Sequence, residues 1–250
     1  MNETGLHIGV DAFSLLFLFK EDREAFEEYL RKLLLCSASM TFVMDKRAAK
    51  EKREVVEERK GQRKEAKAEA ESLTSFTQTA EFEDLEPKQQ EMLEKLIAQR
   101  ERAAWHLYPE YVKWLIELLK KYEIELIWAQ EEADIVLAKG NHDIIITSDS
   151  DLLILGARRL WIPRGVGIQH NEINGAEFVK YIGFEGDRLF ELAFLAGCDV
   201  QSRPLMTVAE AVSRLRFYGS LLGIHKKHPE LVGDNDVVEY SRLRETVWRL

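Results

Sequence analysis

One β-branched run that ends on two aspartates decides the fold of this chain, and it reads Asp143-Ile144-Ile145-Ile146-Thr147-Ser148-Asp149-Ser150-Asp151-Leu152-Leu153. Three consecutive isoleucines are typical of a strand that is buried on both faces. Strands of this kind belong to parallel sheets, whose ligand sites lie at the carboxyl ends of the strands. Two aspartates spaced two apart at that end can both turn toward one ion.

Three further apolar runs also arrive at acidic residues: Leu6–Val10 before Asp11, Thr41–Met44 before Asp45, and Glu125–Ala129 before Glu132 and Asp134. Because helical segments separate the runs, we predict an α/β fold with a central, mainly parallel sheet flanked by helices. Carboxylates at the strand ends converge, and like charges repel one another unless a cation neutralises them. Oxygen ligands suit hard ions, so the pattern predicts a site for Mg²⁺ or Mn²⁺.

The composition is that of a globular protein. Hydrophobic residues make up 46% of the 250 residues and charged residues 32%, which argues against a disordered chain. The two cysteines, Cys36 and Cys198, cannot form a zinc site alone and indicate no disulfide framework, so we expect an intracellular protein, with nucleus and cytoplasm left open. Asp11 interrupts the apolar start, so we expect no secretory leader. We expect no membrane partner either, because no run approaches the roughly 18 apolar residues of a membrane span.

Charge is unevenly distributed along the chain. The net charge is −9, yet residues 46–71 carry ten Lys and Arg against seven Glu. The rest of the chain is therefore strongly acidic, in part because of the predicted metal site. A bound metal would cancel some of that charge locally, so the overall acidity does not exclude nucleic acid as a partner.

Periodicity and helix-breaking residues predict the organisation of the chain. We expect helices over residues 14–35, 46–71, 87–106, 109–122 and 131–139, a flexible break over 72–86, a strand over 159–162, and helices alone beyond residue 176. Segment 46–71 contains no proline and is rich in Lys, Arg, Glu and Ala, which favours a solvated helix.

Each acidic motif has an alternative interpretation when it is considered alone. Glu132 and Asp134 flank the start of a helix, where simple N-terminal capping would also explain them. Capping needs only one aspartate, so the pair Asp149 and Asp151 favours a metal more strongly. Asp199 follows an apolar helix, and an ordinary helix stop would account for it.

Together these motifs resemble those of the flap endonuclease and XPG-type 5′-nuclease family. They stand in this chain as Val10-Asp11-Ala12, Val43-Met44-Asp45, Glu132-Ala133-Asp134, Asp149-Ser150-Asp151-Leu152-Leu153 with Leu155-Gly156, and Leu195-Ala196-Gly197-Cys198-Asp199. The resemblance covers about residues 6–200, and it implies a PIN-like nuclease core over 1–175, with a helical arch at 46–106, and a C-terminal helical region over 176–250. It also implies two Mg²⁺ ions, for which Mn²⁺ can substitute, held by Asp11, Asp45, Glu132, Asp134, Asp149, Asp151 and Asp199.

The same resemblance assigns roles to cations and to one aromatic residue. Lys52 and Arg59 match a Lys and an Arg that the family carries on its arch, and they are implied to be catalytic. Seven residues span two helical turns, about 10 Å along one face, so both can reach one scissile phosphate. Arg63 follows one turn later, where it could bind a neighbouring phosphate. Phe17 matches a tyrosine on which a terminal base stacks, although its apolar surroundings fit core packing equally well.

The chain departs from the family after Asp199. A glycine-containing hairpin that grips duplex phosphate in the family is replaced here by a segment without those glycines, Ser202-Arg203-Pro204-Leu205-Met206-Thr207-Val208-Ala209-Glu210. We therefore expect duplex binding through side chains instead, by Arg203, Arg214, Arg216, Lys226 and Lys227. The family's clamp-binding tail is not seen after this region.

The predicted function is metal-dependent, structure-specific 5′-nuclease action on DNA that carries 5′ flaps, nicks or ends. Two alternatives stay open. One is a ribonuclease on the same core that cuts RNA or RNA–DNA hybrid, and the other is an inactive scaffold that binds nucleic acid or protein. Retention of all seven acids opposes the scaffold, whereas loss of the glycine hairpin supports it.

Overall fold

A single six-stranded sheet forms the centre of the protein. The structure is a computed structural model that describes residues 5–20, 22–46, 53–130, 132–165, 167, 169–198 and 204–246, with the backbone alone at 53–56 and 246. The strands are β1 (Leu6–Asp11), β2 (Ser37–Asp45), β3 (Glu125–Ala129), β4 (Ile144–Ile146), β5 (Arg159–Pro163) and β6 (His170–Asn174). Their order across the sheet is β3-β2-β1-β4-β5-β6.

Helices connect and cover these strands. They are α1 (Ala12–Phe19), α2 (Arg23–Leu34), α3 (Arg53–Phe76), α4 (Ala80–Glu83), α5 (Pro87–Ala104), α6 (Pro109–Lys121), α7 (Ala133–Lys139), α8 (Gly175–Ile182), α9 (Asp187–Ala196), α10 (Val208–Tyr218), α11 (Leu221–Lys227) and α12 (Asp234–Thr246). A short 3₁₀ helix, Asp151–Leu153, follows β4. Among the helices that the structure describes, none combines the length and the apolar composition of a membrane span.

The mainly parallel sheet is confirmed. β1 runs parallel to both β2 and β4, β2 pairs in parallel with β3, and β4 pairs in parallel with β5. The exception is β6, which lies antiparallel to β5 at the sheet edge and was missed in the sequence. Its segment, His170-Asn171-Glu172-Ile173-Asn174, is mostly polar, because an edge strand leaves part of its surface to solvent and lacks the apolar run of a central strand.

Alternating residues of the strands supply two cores, one on each face of the sheet. Phe42 and Met44 of β2 pack with α1, α2 and α6, whereas Val43 between them packs with α7. Successive side chains of a strand point to opposite faces, so one apolar run fills both layers. The result is an α/β/α sandwich, as the uninterrupted apolar runs predicted.

The helix predicted over residues 14–35 is wrong as a single element. Helix α1 ends at Phe19, where Lys20 adopts a positive φ of 50°, and α2 begins after Asp22. The Asp22 carboxylate accepts a hydrogen bond from the Ala25 backbone N–H at 2.9 Å, which is the usual geometry of an N-cap. The apolar periodicity continues across the break, so it does not indicate the boundary between α1 and α2.

Helices α3, α4 and α5 form the predicted helical arch. Buried Ala66 and Ala70 let α3 pack along α5, and an ion pair of 2.8 Å between Glu69 and Arg100 joins the two helices. The break predicted over 72–86 is wrong in part, because α3 continues to Phe76 and α4 lies within the segment. No glycine or proline stands between residues 62 and 86 to end α3 earlier.

Beyond residue 176 the described elements are all helices, as predicted, and these helices have a core of their own. Phe184, Leu195, Leu215 and Leu243 come from four segments of this region and are buried together. Gly175 opens α8 close to the start of β5, where a Cβ atom would lie only 2.2 Å from the Ala157 carbonyl oxygen. The division of the chain at residue 175 stays a prediction.

Candidate metal and nucleic-acid site

Two aspartates end neighbouring central strands. Asp11 is the last residue of β1 and Asp45 the last residue of β2, and these strands are hydrogen-bonded to each other. Asp45 stands opposite Ala129, the last residue of β3. The parallel arrangement therefore brings the carboxyl ends of β1, β2 and β3 to one edge of the sheet.

The third strand leads directly into the helix that carries Glu132 and Asp134. Glu132 occupies the N-cap position of α7 without a side-chain capping bond, and Asp134 lies in the first helical turn. The carboxylate of Asp45 accepts the Ala133 backbone N–H at 2.6 Å. Because Asp45 satisfies this helix end from the neighbouring strand, the capping interpretation is not supported for Glu132.

The loop after β4 carries Asp149 and Asp151 at the same edge of the sheet. The Asp149 carboxylate accepts the Asp151 backbone N–H at 2.8 Å, and the Asp149 backbone N–H binds the Thr147 hydroxyl at 3.0 Å. Asp151 then begins the 3₁₀ helix. These bonds hold both aspartates in a tight turn immediately beyond a strand that pairs with β1.

A cluster of hydroxyl groups connects Asp11 to this loop. The Ser14 and Thr147 hydroxyls donate to Asp11 Oδ2 at 2.5 and 3.1 Å, and the Ser14 hydroxyl lies 2.9 Å from that of Ser148. Asp11 also caps α1, since its Oδ1 accepts the Phe13 and Ser14 backbone N–H groups. Sequence reasoning missed Ser14 and Thr147. Only the position of Ser14, three residues after a capping aspartate, hinted at its role.

The Asp11 carboxyl is costly to ionise in the absence of a nearby positive charge. Burial raises the pKa of the Asp11 carboxyl above its ordinary value, and the neighbouring negative charge of Asp45 raises it further, while hydrogen bonds from Ser14 and Thr147 oppose the rise. A group that is costly to ionise beside a second carboxylate would be stabilised by a positive charge at this edge.

The candidate donors are all oxygen atoms and fit Mg²⁺ in their chemistry. Within the described ranges, however, no three His, Cys, Asp or Glu side chains stand close enough together to hold a metal ion. Asp199, the seventh predicted ligand, lies outside the described residues. The structure therefore brings four acid-bearing strand ends to one edge, and their role as metal ligands stays a prediction.

One predicted catalytic residue and two predicted nucleic-acid-binding residues line one cleft between α1 and the arch. Phe17, Arg59 and Arg63 border this space of about 780 Å³, which we call the arch cleft. Phe17 is 43% exposed, so the alternative of plain core packing is not supported. Its ring meets the Trp105 ring edge-on, with centroids 5.3 Å apart. Lys52, the other predicted catalytic cation, lies outside the described residues.

Sequence reasoning missed four residues of the arch cleft: Lys20, Arg100, Arg102 and Trp105. The Lys20 ammonium donates to the Arg102 carbonyl oxygen at 2.9 Å and lies 5.8 Å from the centre of the Trp105 ring. The indole N–H of Trp105 is buried without a hydrogen-bond partner among the described residues. These side chains come from α1, α5 and the segment after α5, so no local pattern could group them.

Four of the cations predicted to bind duplex DNA lie in the C-terminal helices instead of the arch cleft. Arg214 is paired with Glu210 at 2.8 Å, and Arg216 donates to the Ile182 carbonyl oxygen at 2.9 Å. Lys226 and Lys227 are exposed at the end of α11. Arg203 lies outside the described residues, and binding by these side chains stays a prediction.

Comparison with known proteins matches this arrangement to solved nucleases. The catalytic core of Rad2 in complex with a DNA substrate superposes with a TM-score of 0.59 at 19% identity, over 98% of this chain and 73% of that one. Flap endonuclease-1 from Methanococcus jannaschii superposes with a TM-score of 0.58 at 17% identity, over 96% and 78% of the two chains. The chain has the XPG/flap-endonuclease nuclease fold. The predicted resemblance is thereby confirmed at the level of the fold.

Sequence similarity to a known protein covers only part of the chain. The chain is 31% identical over 113 residues to exonuclease 1 of Arabidopsis thaliana, and the match covers 41% of this chain. It spans only 15% of the length of that relative. No protein-family model matches the chain. The XPG-type fold is thus established, while the activity must be inferred from the side chains.

Asp11→Asn is expected to stabilise the metal-free protein. The pKa of Asp11 is higher in the folded than in the unfolded protein, so the ionised side chain lowers the free energy of unfolding. This destabilisation begins as the pH rises above the unfolded pKa of about 3.9. Asparagine removes that charge and can still cap α1. Chemical unfolding in EDTA at neutral pH should therefore show a higher free energy of unfolding than wild type, with the difference shrinking toward about pH 4.

Asp11→Ala is the control for this measurement. Alanine also removes the charge but cannot accept the Phe13 and Ser14 N–H groups, a loss that costs about 1 kcal/mol. The alanine variant should therefore be less stable than the asparagine variant. Equal stability of wild type and Asp11→Asn across the pH range would show that burial of this carboxylate has no energetic cost.

Proposed function

We propose that the protein is a metal-dependent, structure-specific 5′-nuclease that hydrolyses phosphodiester bonds in branched or 5′-ended DNA. The observation that carries this proposal is the geometry of α1. Asp11 caps this helix at the edge of the sheet where Asp11, Asp45, Glu132, Asp134, Asp149 and Asp151 end or follow the strands, which we call the acidic edge. Phe17 lies on the same helix in the arch cleft. Six residues of α-helix span about 9 Å, so a single strand in the cleft could reach the acids.

The acidic edge would hold two Mg²⁺ ions through Asp11, Asp45, Glu132, Asp134, Asp149, Asp151 and Asp199. Bound there, the ions would supply a hydroxide nucleophile and charge stabilisation for in-line displacement at phosphorus. The side chains of the protein would position these ligands. The hydroxyl cluster orients Asp11, the turn after β4 orients Asp149 and Asp151, and the Asp45 bond to α7 sets the helix that carries Glu132.

The arch cleft would bind the single-stranded part of the substrate. Phe17 and Trp105 offer apolar surface for a base, and stacking of this kind tolerates any sequence. Arg63 would bind a phosphate next to the scissile one, and Lys52 with Arg59 would stabilise negative charge on the scissile phosphate. Arg203, Arg214, Arg216, Lys226 and Lys227 would contact the duplex. Rad2, a structural relative, was solved with a DNA substrate, which supports DNA as the partner.

A substrate panel tests the proposal directly. The chain is incubated in Mg²⁺ with 5′-labelled flap, nicked, gapped and blunt DNA, beside a flap of the same sequence made of RNA. We expect cleavage of the flapped and nicked DNA near the junction or the 5′ end. Preferential cleavage of the RNA flap would support the ribonuclease alternative, and binding without cleavage of any substrate would support the scaffold.

Lys52→Ala and Arg59→Ala are each expected to lower the single-turnover rate by roughly 10- to 100-fold. Affinity for the flap, measured in Ca²⁺, should change little, because the proposed contact forms with charge that develops in the transition state. Arg63→Ala should instead weaken binding and reduce the salt slope by about one unit.

Lys64→Ala is the matched control for these variants. Lys64 is exposed on α3 next to Arg63, but it does not line the arch cleft. Its removal should leave both the rate and the salt slope close to wild type. If Arg59→Ala and Lys52→Ala cleave at the wild-type rate once saturated, the two cations are only part of a charged helix.

A further inference from the structure

A second cleft lies on the side of the sheet where β5 and β6 pair. It occupies about 850 Å³ between the residues that follow the 3₁₀ helix, the start of β5, and helices α8 and α9. Its interior is mostly apolar, with Leu153, Ala157, Val179 and Phe190 among the lining side chains. We call it the β5–α8 cleft. Neither the acidic edge nor the arch cleft shares a lining residue with it.

The rim of the β5–α8 cleft is positively charged in a chain whose net charge is −9. Arg158 and Lys180 are both exposed, and neither side chain has a hydrogen bond or an ion pair with the residues that the structure describes. Arg159, also on the lining, is neutralised by Glu172 at 3.0 Å. Glu185 is the one carboxylate among the described lining residues, so the rim keeps an excess of positive charge.

We propose that the β5–α8 cleft docks a short segment of a partner protein that carries an apolar side chain between carboxylates. The apolar interior favours an apolar group from the partner, and the excess of positive charge on the rim favours negative charge beside it. Duplex DNA would meet the cations with phosphate but has no apolar side group to fill the interior. A cleft of this volume can accommodate one or two large side chains.

The position of the cleft connects it to the acidic edge. Its floor begins at Leu153, the last residue of the 3₁₀ helix that starts with Asp151. The Asp151 carbonyl oxygen accepts the Ile154 backbone N–H at 3.0 Å, and Ile154 also lines the cleft. A bound segment would thus contact residues that closely follow the turn carrying Asp149 and Asp151. The proposal itself concerns binding and does not depend on nuclease activity.

A random dodecapeptide library, panned against the full chain, tests the proposed chemistry. We expect enriched sequences in which Leu, Ile, Phe or Trp stands next to Asp or Glu. An enriched peptide is then synthesised, and its affinity is measured by fluorescence anisotropy for wild type and for the double variant Arg158→Glu with Lys180→Glu. Because both rim contacts become repulsive, the affinity should fall at least about tenfold, and wild-type affinity should decline with salt.

Two further variants separate the rim from the interior. Ala176→Trp fills the cleft from an exposed lining position and should also abolish peptide binding. Lys113→Glu with Lys120→Glu makes the same charge change on α6, which packs near β3 at the other end of the sheet. This control double variant should bind the peptide like wild type.

Several outcomes would overturn the proposal. One is that the library enriches no acidic–apolar sequence. Another is that an enriched peptide binds the rim variant and Ala176→Trp as tightly as wild type. Displacement of the peptide by a blunt DNA duplex, with loss of duplex binding in the rim variant, would assign the cleft to nucleic acid instead. Concentration-dependent dimerisation that the rim variant abolishes would assign it to a second copy of the chain.

Discussion

Asp149→Asn and Asp151→Asn are each expected to reduce cleavage by roughly a thousandfold or more, because each removes a charge from the proposed metal site. The fold should survive, since asparagine keeps the volume of aspartate. In Asp149→Asn, the new amide oxygen can also still accept the Asp151 backbone N–H that shapes the turn. Substrate affinity in Ca²⁺ should change far less than the rate. Single-turnover cleavage of a 5′ flap in Mg²⁺ measures the first effect, and circular dichroism checks the fold.

Asp143→Asn is the matched control for these variants. Asp143 precedes β4, the strand that Asp149 and Asp151 follow. Its carboxylate accepts the His7 backbone N–H at 2.8 Å at the opposite edge of the sheet. The substitution is chemically identical but lies away from the proposed site, so cleavage should stay near wild type. Wild-type turnover in Asp149→Asn or Asp151→Asn would remove these residues from the proposed metal site.

Removal of divalent metal is the second change with a large expected effect. Cleavage should stop completely in excess EDTA and return with Mg²⁺ or Mn²⁺, because the acidic edge offers only oxygen ligands and the half-buried Asp11 lies near Asp45. Ca²⁺ should support substrate binding without cleavage, since it is larger and less demanding in geometry. The measurement is a flap assay in each metal with free ion concentration held constant.

Metal binding should also be visible without any substrate. A ligand that binds only the folded state raises the melting temperature with its concentration. Mg²⁺ should therefore stabilise wild type, and it should stabilise Asp11→Asn less, because that variant lacks one charge of the site. Cleavage that persists in excess EDTA would exclude the two-metal mechanism. An unchanged melting temperature across a Mg²⁺ titration would argue against a preformed site.

Most of the α/β core could be predicted from the sequence, because strand and helix patterns are local. The apolar runs of β1, β2, β3 and β4 identify strands, although β3 lies at the sheet edge and is largely exposed or half-buried. Each run ends at an acid or is followed by one within three residues. The helix break at Lys20 could not be predicted, since apolar periodicity continues through it. The edge strand β6 was also missed, because a strand with a solvent-exposed side and a polar sequence lacks the pattern that marks a buried one.

The candidate site was predictable in part. Acids after parallel strands lie at one edge of the sheet, so the sequence alone placed Asp11, Asp45 and Asp149 at that edge. It did not reveal that Ser14 and Thr147 bind Asp11, because Thr147 follows a strand that pairs with β1 but is distant along the chain.

The tertiary structure alone decided which cations and aromatic residues share a cleft. Phe17, Arg63 and Trp105 belong to three separate segments, and the packing of α3 along α5 against α1 brings them together. The same is true of Arg158 and Lys180 at the β5–α8 cleft. The sequence by itself determined the strands other than β6, most of the helices and the acidic edge, since these follow from local patterns and from the geometry of parallel sheets. Clefts form between elements distant along the chain, and only long-range packing determines which side chains line them.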